Sequence, residues 1–307
     1  MSSILTNASA MTALQTLSAT NQSLATTQNR IATGMKVSEA SDNAAYWSIA
    51  TTMRSDNKAN SVIKEALGLG GGKVDTAYTA IKSAVSVVDQ IKEKVLSSKN
   101  ASADDRAKIQ TEIEKLQAQL TDNIGGASYA GSNLLQTDSA PAAGGATKLS
   151  IISSYNRDAA GAITTGAIEV DFASIRLIDT NAANAGLLDK EFAVGAGNVS
   201  VLTLDVTTAG LTDVDFNAML GGVEAAAKGL ANGAAELGAT KTRIDLQTSF
   251  IGALSDAVDR GIGALVDADM NKESARLSAL QVQQQLGVQA LSIANSGNQS
   301  ILSLFRG

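Results

Sequence analysis

Asp267, Asp269 and Glu273 form the densest acidic cluster in the chain, and so the first place to look for chemistry. A hard cation such as calcium needs several oxygens converging on one point, usually from a loop of alternating acids with a glycine and a final glutamate. The run Asp267-Ala-Asp-Met-Asn-Lys-Glu273 does not follow that pattern. It fits a break between helices better, with an aspartate accepting from the first free amides of the next helix. A second stretch, Gly68-Leu-Gly-Gly-Gly-Lys73, has the residue types of a phosphate loop. It lacks the G-x-x-x-x-G-K-[ST] spacing and sits inside a helical pattern, not after a strand.

The chain has no histidine and no cysteine. The commonest general base, the commonest transition-metal ligand, thiolate nucleophiles and disulfides are thereby excluded. Only carboxylate chemistry would remain. The expectation is a protein with no catalytic residues, no cofactor site and no metal site. A net charge of −6 gives no basic stripe for nucleic acid. No apolar run reaches the length of a membrane span, so no membrane insertion is expected. The N-terminus lacks the basic-then-apolar pattern of a signal peptide. The protein either stays in the cytosol or leaves by a route that reads something else.

What the elements do offer is surfaces for packing. Residues 1–35 carry one charge, Arg30, and residues 277–307 carry one, Arg306. In the first segment Leu14, Leu17, Leu24 and Ile31 fall at heptad spacing, with Asn21 and Gln28 in the same seam. Such a helix is marginal alone in water, which suits an end that is disordered when free and folds on assembly. In the last segment Ala279, Val282, Leu286, Ala290 and Ile293 recur at helical spacing, Gly297 is expected to close the helix, and Ile301, Leu302, Leu304 and Phe305 form an apolar tip. Two ends of the same unusual chemistry are expected to meet.

Between them, a helix is predicted from Ser41-Asp42 to about Ser98, capped by one of those two residues and interrupted at Gly68–Gly72, where the glycines mark a hinge. Ser102 and Asp105 read as a capping box before a stripe of Ile109, Ile113, Leu116, Leu120 and Ile124. From about 137 to 212 the composition turns to Gly, Ala, Thr, Asp and Asn. Strands are predicted at Leu149–Tyr155, Ala167–Phe172, Ile175–Ile178 and Val199–Val206. A long seam then runs through Leu220, Val223, Ala227, Leu230, Ala234, Leu237, Ile244, Ile251, Val258, Ile262 and Leu265, with Lys241 and Thr248 as polar members. The fold class predicted is mainly α with a small β-containing insert, a long antiparallel coiled-coil-like helical rod built from both ends of the chain, with the insert hanging from its far end.

Several ordered motifs resemble bacterial flagellin. Asn29-Arg-Ile-Ala-Thr-Gly-Met-Lys-Val-Ser-Glu-Ala-Ser-Asp-Asn-Ala-Ala45 is similar to the family's R-[IL]-x-[ST]-G-x-[RK]-[IV]-x-x-A-x-D-[DN]-A-A signature. Tyr129-Ala-Gly-Ser-Asn-Leu-Leu135 resembles its F-x-G-x-x-L-L turn. Leu237-Gly-Ala-Thr-Lys-Thr-Arg-Ile244 resembles L-G-A-x-x-N-R-[LI], with Thr242 in place of Asn, and Asp267–Glu273 resembles D-A-D-x-A-x-E. Gln283-Gln-Gln-Leu-Gly287 and Ile301-Leu-Ser-Leu-Phe-Arg306 are similar to the C-terminal pattern. The likeness covers roughly 1–136 and 220–307 and is of the type seen in soil and plant-associated bacteria.

The resemblance implies a structural subunit that leaves the cell unfolded through the flagellar channel and polymerises, with itself and with sister flagellins, into the extracellular filament used for swimming. It implies a filament cap, hook-junction proteins and an export chaperone as further partners. It implies three domains: 1–42 with 265–307 as a terminal coiled coil lining the inner tube, 43–136 with 220–264 as outer-tube helices, and 137–219 as a variable surface-exposed insert. The self-assembly seam would use Leu14, Leu17, Leu24, Ile31, Val282, Leu286 and Ile293. Plant receptors read the family segment matching residues 29–50, where Asn29, Ser41, Asn43 and Tyr46 depart from the stimulatory pattern. A vertebrate Toll-like receptor reads the patch matching Val88–Lys94. There Gln90 stands for the contacting Arg and Lys94 for a Leu, while Glu112 keeps its acidic position. The expectation is weak recognition by both. A hook–filament junction protein is the alternative with the same terminal chemistry. An adhesin or carboxylate enzyme in the insert is a third; a metalloprotease insert would need histidines.

Overall fold

The structure is a computed structural model that describes residues 7–141, 146–158, 160–181, 183 and 185–304, without the side chains of 297–304. Five helices of more than one turn dominate the described residues: α1 (Ala8–Thr33), α2 (Ala44–Ser98), α3 (Ala103–Gly125), α5 (Asp213–Val266) and α6 (Met270–Leu304). Between α3 and α5 run β1 (Ser128–Tyr129), β2 (Ser132–Asn133), β3 (Gln136–Thr137), β4 (Lys148–Arg157), β5 (Ile163–Asp171), the single turn α4 (Phe172–Ile175), β6 (Ile178–Asp179), β7 (Phe192–Val194) and β8 (Gly197–Val199). The chain divides into two compact units, Met1–Asn57 with Asp256–Gly307, and Lys58–Ser255. The mainly helical class with a strand-containing insert is the one predicted.

In the unit that is inner in chain order, Lys58–Ser255, heptad spacing decides the packing. Every member of the α5 seam from Leu220 to Ile251 is buried or half-buried. Val223, Leu230, Leu237, Ile244 and Ile251 are the buried positions, and they share a core with Ile81, Val88, Ile91 and Val95 of α2 and Ile113, Leu120 and Ile124 of α3. Apolar faces of three helices cover one another, so each contributes its burial to the same core. Ser102 caps α3 as predicted, its Oγ accepting from the Asp105 amide at 3.3 Å.

The glycines of α2 act differently from the predicted hinge. The helix runs unbroken through Gly68–Gly72. A β-carbon on Gly70 would collide with Ile151 of β4, and one on Gly72 would lie 2.7 Å from Cζ of Tyr129. Gly70 lets β4 of the insert, and Gly72 lets Tyr129, approach the helix backbone. Tyr129 is delivered by the β1–β2 hairpin, whose Ala130 and Gly131 both take positive φ, the geometry that suits a two-residue hairpin turn. On α5, Gly222 and Gly229 receive Phe192 and Leu187 in the same manner.

The insert does not hang free of the helices. Ile151, Ile168, Val170, Phe172, Ile175, Leu177, Leu188, Val201, Leu204 and Val206 are buried in the helical core. Among the described residues, the strands between α3 and α5 pair two by two: β1–β2, β4–β5 and β7–β8 antiparallel, β3–β6 parallel. The predicted strand at Leu149–Tyr155 lies inside β4. Ala167–Phe172 ends one residue early, because Asp171 caps α4, its Oδ1 accepting from the Ala173 amide at 2.9 Å. Ile175–Ile178 is split between α4 and β6. Most of Val199–Val206 is not strand. Its backbone bonds to side chains: Gln110 accepts from the Val206 amide at 3.0 Å, and Gln117 donates to the Val201 and Leu204 carbonyls at 3.0 and 3.1 Å.

In the outer unit, α1 and α6 lie antiparallel. Asn7 Nδ2 donates to the Ala294 carbonyl at 3.0 Å, Gln284 Nε2 to Asn21 Oδ1 at 2.8 Å, and Met35 bridges to Asp267. Asn7 also caps α1 through the Ala10 amide, and Gly34 ends it with φ of 72°. A small core of Val37, Ala50, Ile262 and Val266 sits beside this turn. Asn43, not Ser41 or Asp42, accepts from the first amides of α2, at 3.1 Å from both Ala45 and Tyr46. Asp42 instead folds the preceding loop, taking the Ser38 and Glu39 amides. At the other end, α6 continues through Gly297 to Leu304. One interior glycine costs a helix only about 1 kcal/mol against alanine, too little to end it alone. The side chains of Ile301, Leu302 and Leu304, and all of Phe305 and Arg306, lie outside the described set.

Candidate self-assembly surface

Within the outer unit, α1 covers Ala10, Ala13, Leu17, Thr20, Leu24, Thr27, Ile31 and Gly34, a 3-4 alternation. The matching positions of α6 are Glu273, Leu277, Leu280, Gln284, Gly287, Leu291 and Ala294. This is coiled-coil spacing on both helices. Most inward positions hold small or polar residues. Leu17 is seated on Gly287, where an added β-carbon would stand 3.2 Å from Leu17 Cδ1.

Of the predicted seam, Leu17, Leu24 and Ile31 face α6. Leu14 faces away from α6, and Val282, Leu286 and Ile293 face away from α1. Leu14 is 57% exposed, Val282 55%, Leu286 58% and Ile293 71%. Met11 and Val288 join them on the outside. Asn21 and Gln28, predicted as seam members, are exposed; Ala13, Thr20 and Thr27 take the inner row. The α1–α6 pair therefore interleaves small and polar side chains with Leu and Ile on its inward face and turns further large ones outward. Full burial of a Val, Leu or Ile contributes roughly 1.5–3 kcal/mol, so this outer face has substantial binding capacity.

The acidic cluster resolves into structural roles. Asp267 pairs with Met35, and the Ala268 amide donates to the Gly34 carbonyl at 2.8 Å. Asp269 caps α6, accepting from the Asn271 and Lys272 amides at 3.0 and 3.2 Å. Glu273 is buried and meets Arg30 at 3.5 Å, joining the charge of α1 to α6. Arg30 Nε and Glu273 Oε2 have no further hydrogen bond among the described residues. Sequence reasoning missed this pair and the Gly287 seat. The solitary Arg30 in an uncharged helix and the regular Ala/Thr spacing opposite Gly and Gln were the available signals.

In the inner unit, Gln90 is exposed on α2. Lys94 is half-buried there and forms an ion pair with Glu112 of α3 at 2.5 Å. Two of the three expected receptor positions are thus brought into contact with each other, and Gln90 is not part of that pair.

Two family models match the chain. Residues 4–140 match the bacterial flagellin N-terminal helical region, and 220–305 match the C-terminal helical region. The chain belongs to the bacterial flagellin family. Flagellin of Brucella melitensis is 53% identical over 309 aligned residues, covering 100% of both chains. Flagellin C and flagellin A of Rhizobium meliloti are 44% and 38% identical, again over 100% of both chains. The flagellin A alignment spans 398 positions against the 307 residues here, so that relative carries residues this chain lacks. As a flagellin, the protein is a structural subunit of the flagellar filament and not an enzyme, and it assembles with copies of itself. The end-to-end likeness to flagellins does not favour the hook–filament junction alternative.

Proposed function

We propose that the outward stripes of α1 and α6 are the surface through which this flagellin joins its filament, as part of the terminal coiled coil formed by 1–42 and 265–307. Residues 43–136 with 220–264 form the outer-tube helices and 137–219 the surface-exposed insert. The observation that carries this is the orientation of Leu14, Val282, Leu286 and Ile293, large apolar side chains turned to the outside of a helix pair with little charge. A neighbouring copy covers them, and the ordering entropy of the ends is offset at that moment. The chain travels unfolded through the flagellar channel, attended by an export chaperone, and adds beneath the filament cap beyond the hook-junction proteins. It works outside the cell, alone or mixed with sister flagellins. Seeded polymerisation followed by electron microscopy tests the surface. Removing residues 1–30 or 280–307, or replacing Leu286 and Ile293 by Asp together, is expected to abolish seed extension while leaving a folded, soluble inner unit. Filaments of normal length from any of the three would overturn the proposal.

The Lys94–Glu112 ion pair supports weak recognition by the vertebrate receptor, because the acidic group the receptor would meet is already paired within the chain. Gln90 adds to this by lacking a cation. A cell reporter assay is expected to give a response well below that of a flagellin with Arg and Leu at these two positions. A full-strength response would refute it.

A further inference from the structure

The seam between α1 and α6 repeats itself. Its inward residues on α1 fall into two rows of heptad spacing, Ala10, Leu17, Leu24 and Ile31, and Ala13, Thr20, Thr27 and Gly34. Sliding α1 by one heptad would seat Leu24 on Gly287, where Leu17 now stands, and bring Gln28 beside Gln284 in place of Asn21. Leucine replaces leucine and one amide replaces another, so packing and side-chain amides separate the two registers weakly. The backbone bonds at the base, from the Lys36 amide to the Val266 carbonyl and from the Ala268 amide to the Gly34 carbonyl, use groups common to nearly all residues.

One contact in the seam has no repeat. Arg30 is the only charge in residues 1–35, and its Nη1 lies 3.5 Å from Oε1 of Glu273. The Glu273 side chain is 10% exposed and that of Arg30 29%. Lys272 and Arg276, the other charges of α6, are exposed. The pair is poorly made for stability. Arg30 Nε and Glu273 Oε2 are buried with no hydrogen-bond partner among the described residues, so the cost of desolvating the two charges is only partly offset. A buried ion pair does discriminate between alignments. In the slipped register Arg30 would lie against Leu280 and Glu273 would lose its cation, and an uncompensated charge in a seam is strongly unfavourable.

We propose that Arg30 and Glu273 are the register key of the terminal helix pair: they hold a nearly repeating seam in one alignment at some expense of stability. The same alignment fixes which outward residues of α1 stand level with those of α6. That consequence for assembly rests on the outward stripes being the joining surface; the key itself does not.

The chain has no cysteine of its own, so introduced pairs report register cleanly. Asn21→Cys with Gln284→Cys reads the present alignment, because these side chains meet at 2.8 Å. Gln28→Cys with Gln284→Cys reads the slipped one. In a glutathione redox buffer the full chain closes each intramolecular disulfide according to the effective concentration of its two thiols, whether or not it polymerises. Gel mobility separates these products from crosslinks between copies. The first disulfide is expected to be favoured over the second by at least about tenfold. Adding Arg30→Met with Glu273→Met removes both charges and strands neither, and the preference is expected to fall to within about twofold of unity with helix content unchanged by circular dichroism. Adding Arg30→Glu with Glu273→Arg instead is expected to restore it. A pair that only stabilised the helices would lower both disulfides together and leave their ratio intact. An undiminished ratio in the double-methionine background, or charge exchange that fails to restore it, would overturn the key.

Discussion

The inner unit and the terminal helix pair use the same heptad spacing to opposite ends. On α5 the buried seam positions Val223, Leu230, Leu237, Ile244 and Ile251 are large aliphatics turned inward. On α1 and α6 the inward positions include Ala, Thr, Gln and Gly, and Leu14, Val282, Leu286 and Ile293 are turned out. A helix buries its largest apolar side chains where the partner that covers them will be. For Lys58–Ser255 that partner is within the chain; for the outward stripes of the terminal pair the proposed partner is another copy. On that proposal, the stability of the monomer and the stability of the polymer are written on different faces of similar helices.

The largest effect that would break this comparison is in the inner core. Leu230 is fully buried between α5 and its neighbours. Leu230→Ala is expected to destabilise the monomer by roughly 2–5 kcal/mol, the cost of lost burial plus a cavity. Leu286→Ala removes the same atoms from an exposed position, and monomer stability should change by less than about 0.5 kcal/mol. Denaturant unfolding of the two variants decides it. Equal losses would mean that Leu286 is already covered in the monomer, and the division of faces would fail.

How much of this was legible depended on the size of the side chains. The α5 seam could be read because its repeat is made of large aliphatics. On α1, counting large residues found Leu17, Leu24 and Ile31 but placed Leu14, Asn21 and Gln28 beside them, whereas the helix turns its Ala13, Thr20 and Thr27 row to α6. On α6 the same habit selected Val282, Leu286 and Ile293 over the inward Gly287 and Gln284. Small residues carry little hydropathy, so a seam made of them is nearly silent in a hydrophobic pattern. The insert was legible at β4, whose partner is the adjoining strand β5. It was misread at Val199–Val206, where the partners are the side-chain amides of Gln110 and Gln117, distant in sequence. Gly70 was read from its helix propensity, and its actual role depends on Ile151, which lies beyond any local window.

Two helical glycines extend the same contrast to its smallest effects. Gly70 lies under Ile151, and an added methyl would meet Cδ1, Cγ1 and Cγ2 of that buried, β-branched side chain together. The clash cannot be relieved by rotating one terminal atom, because χ1 of isoleucine is stiff and the residue is enclosed. Gly70→Ala is therefore expected to cost about 1–3 kcal/mol through overpacking, in spite of the gain in helix propensity. Gly287 meets only Leu17, whose Cδ1 would stand 3.2 Å from the new carbon and whose Cβ would be 3.8 Å away. Leu17 is half-buried, and its side chain can move by the few tenths of an ångström required. Propensity then decides the sign, and Gly287→Ala should leave the monomer unchanged or stabilise α6 by up to about 1 kcal/mol. Circular dichroism during thermal unfolding separates the two outcomes. A loss at Gly287 as large as at Gly70 would mean that the terminal pair is packed as tightly as the inner core.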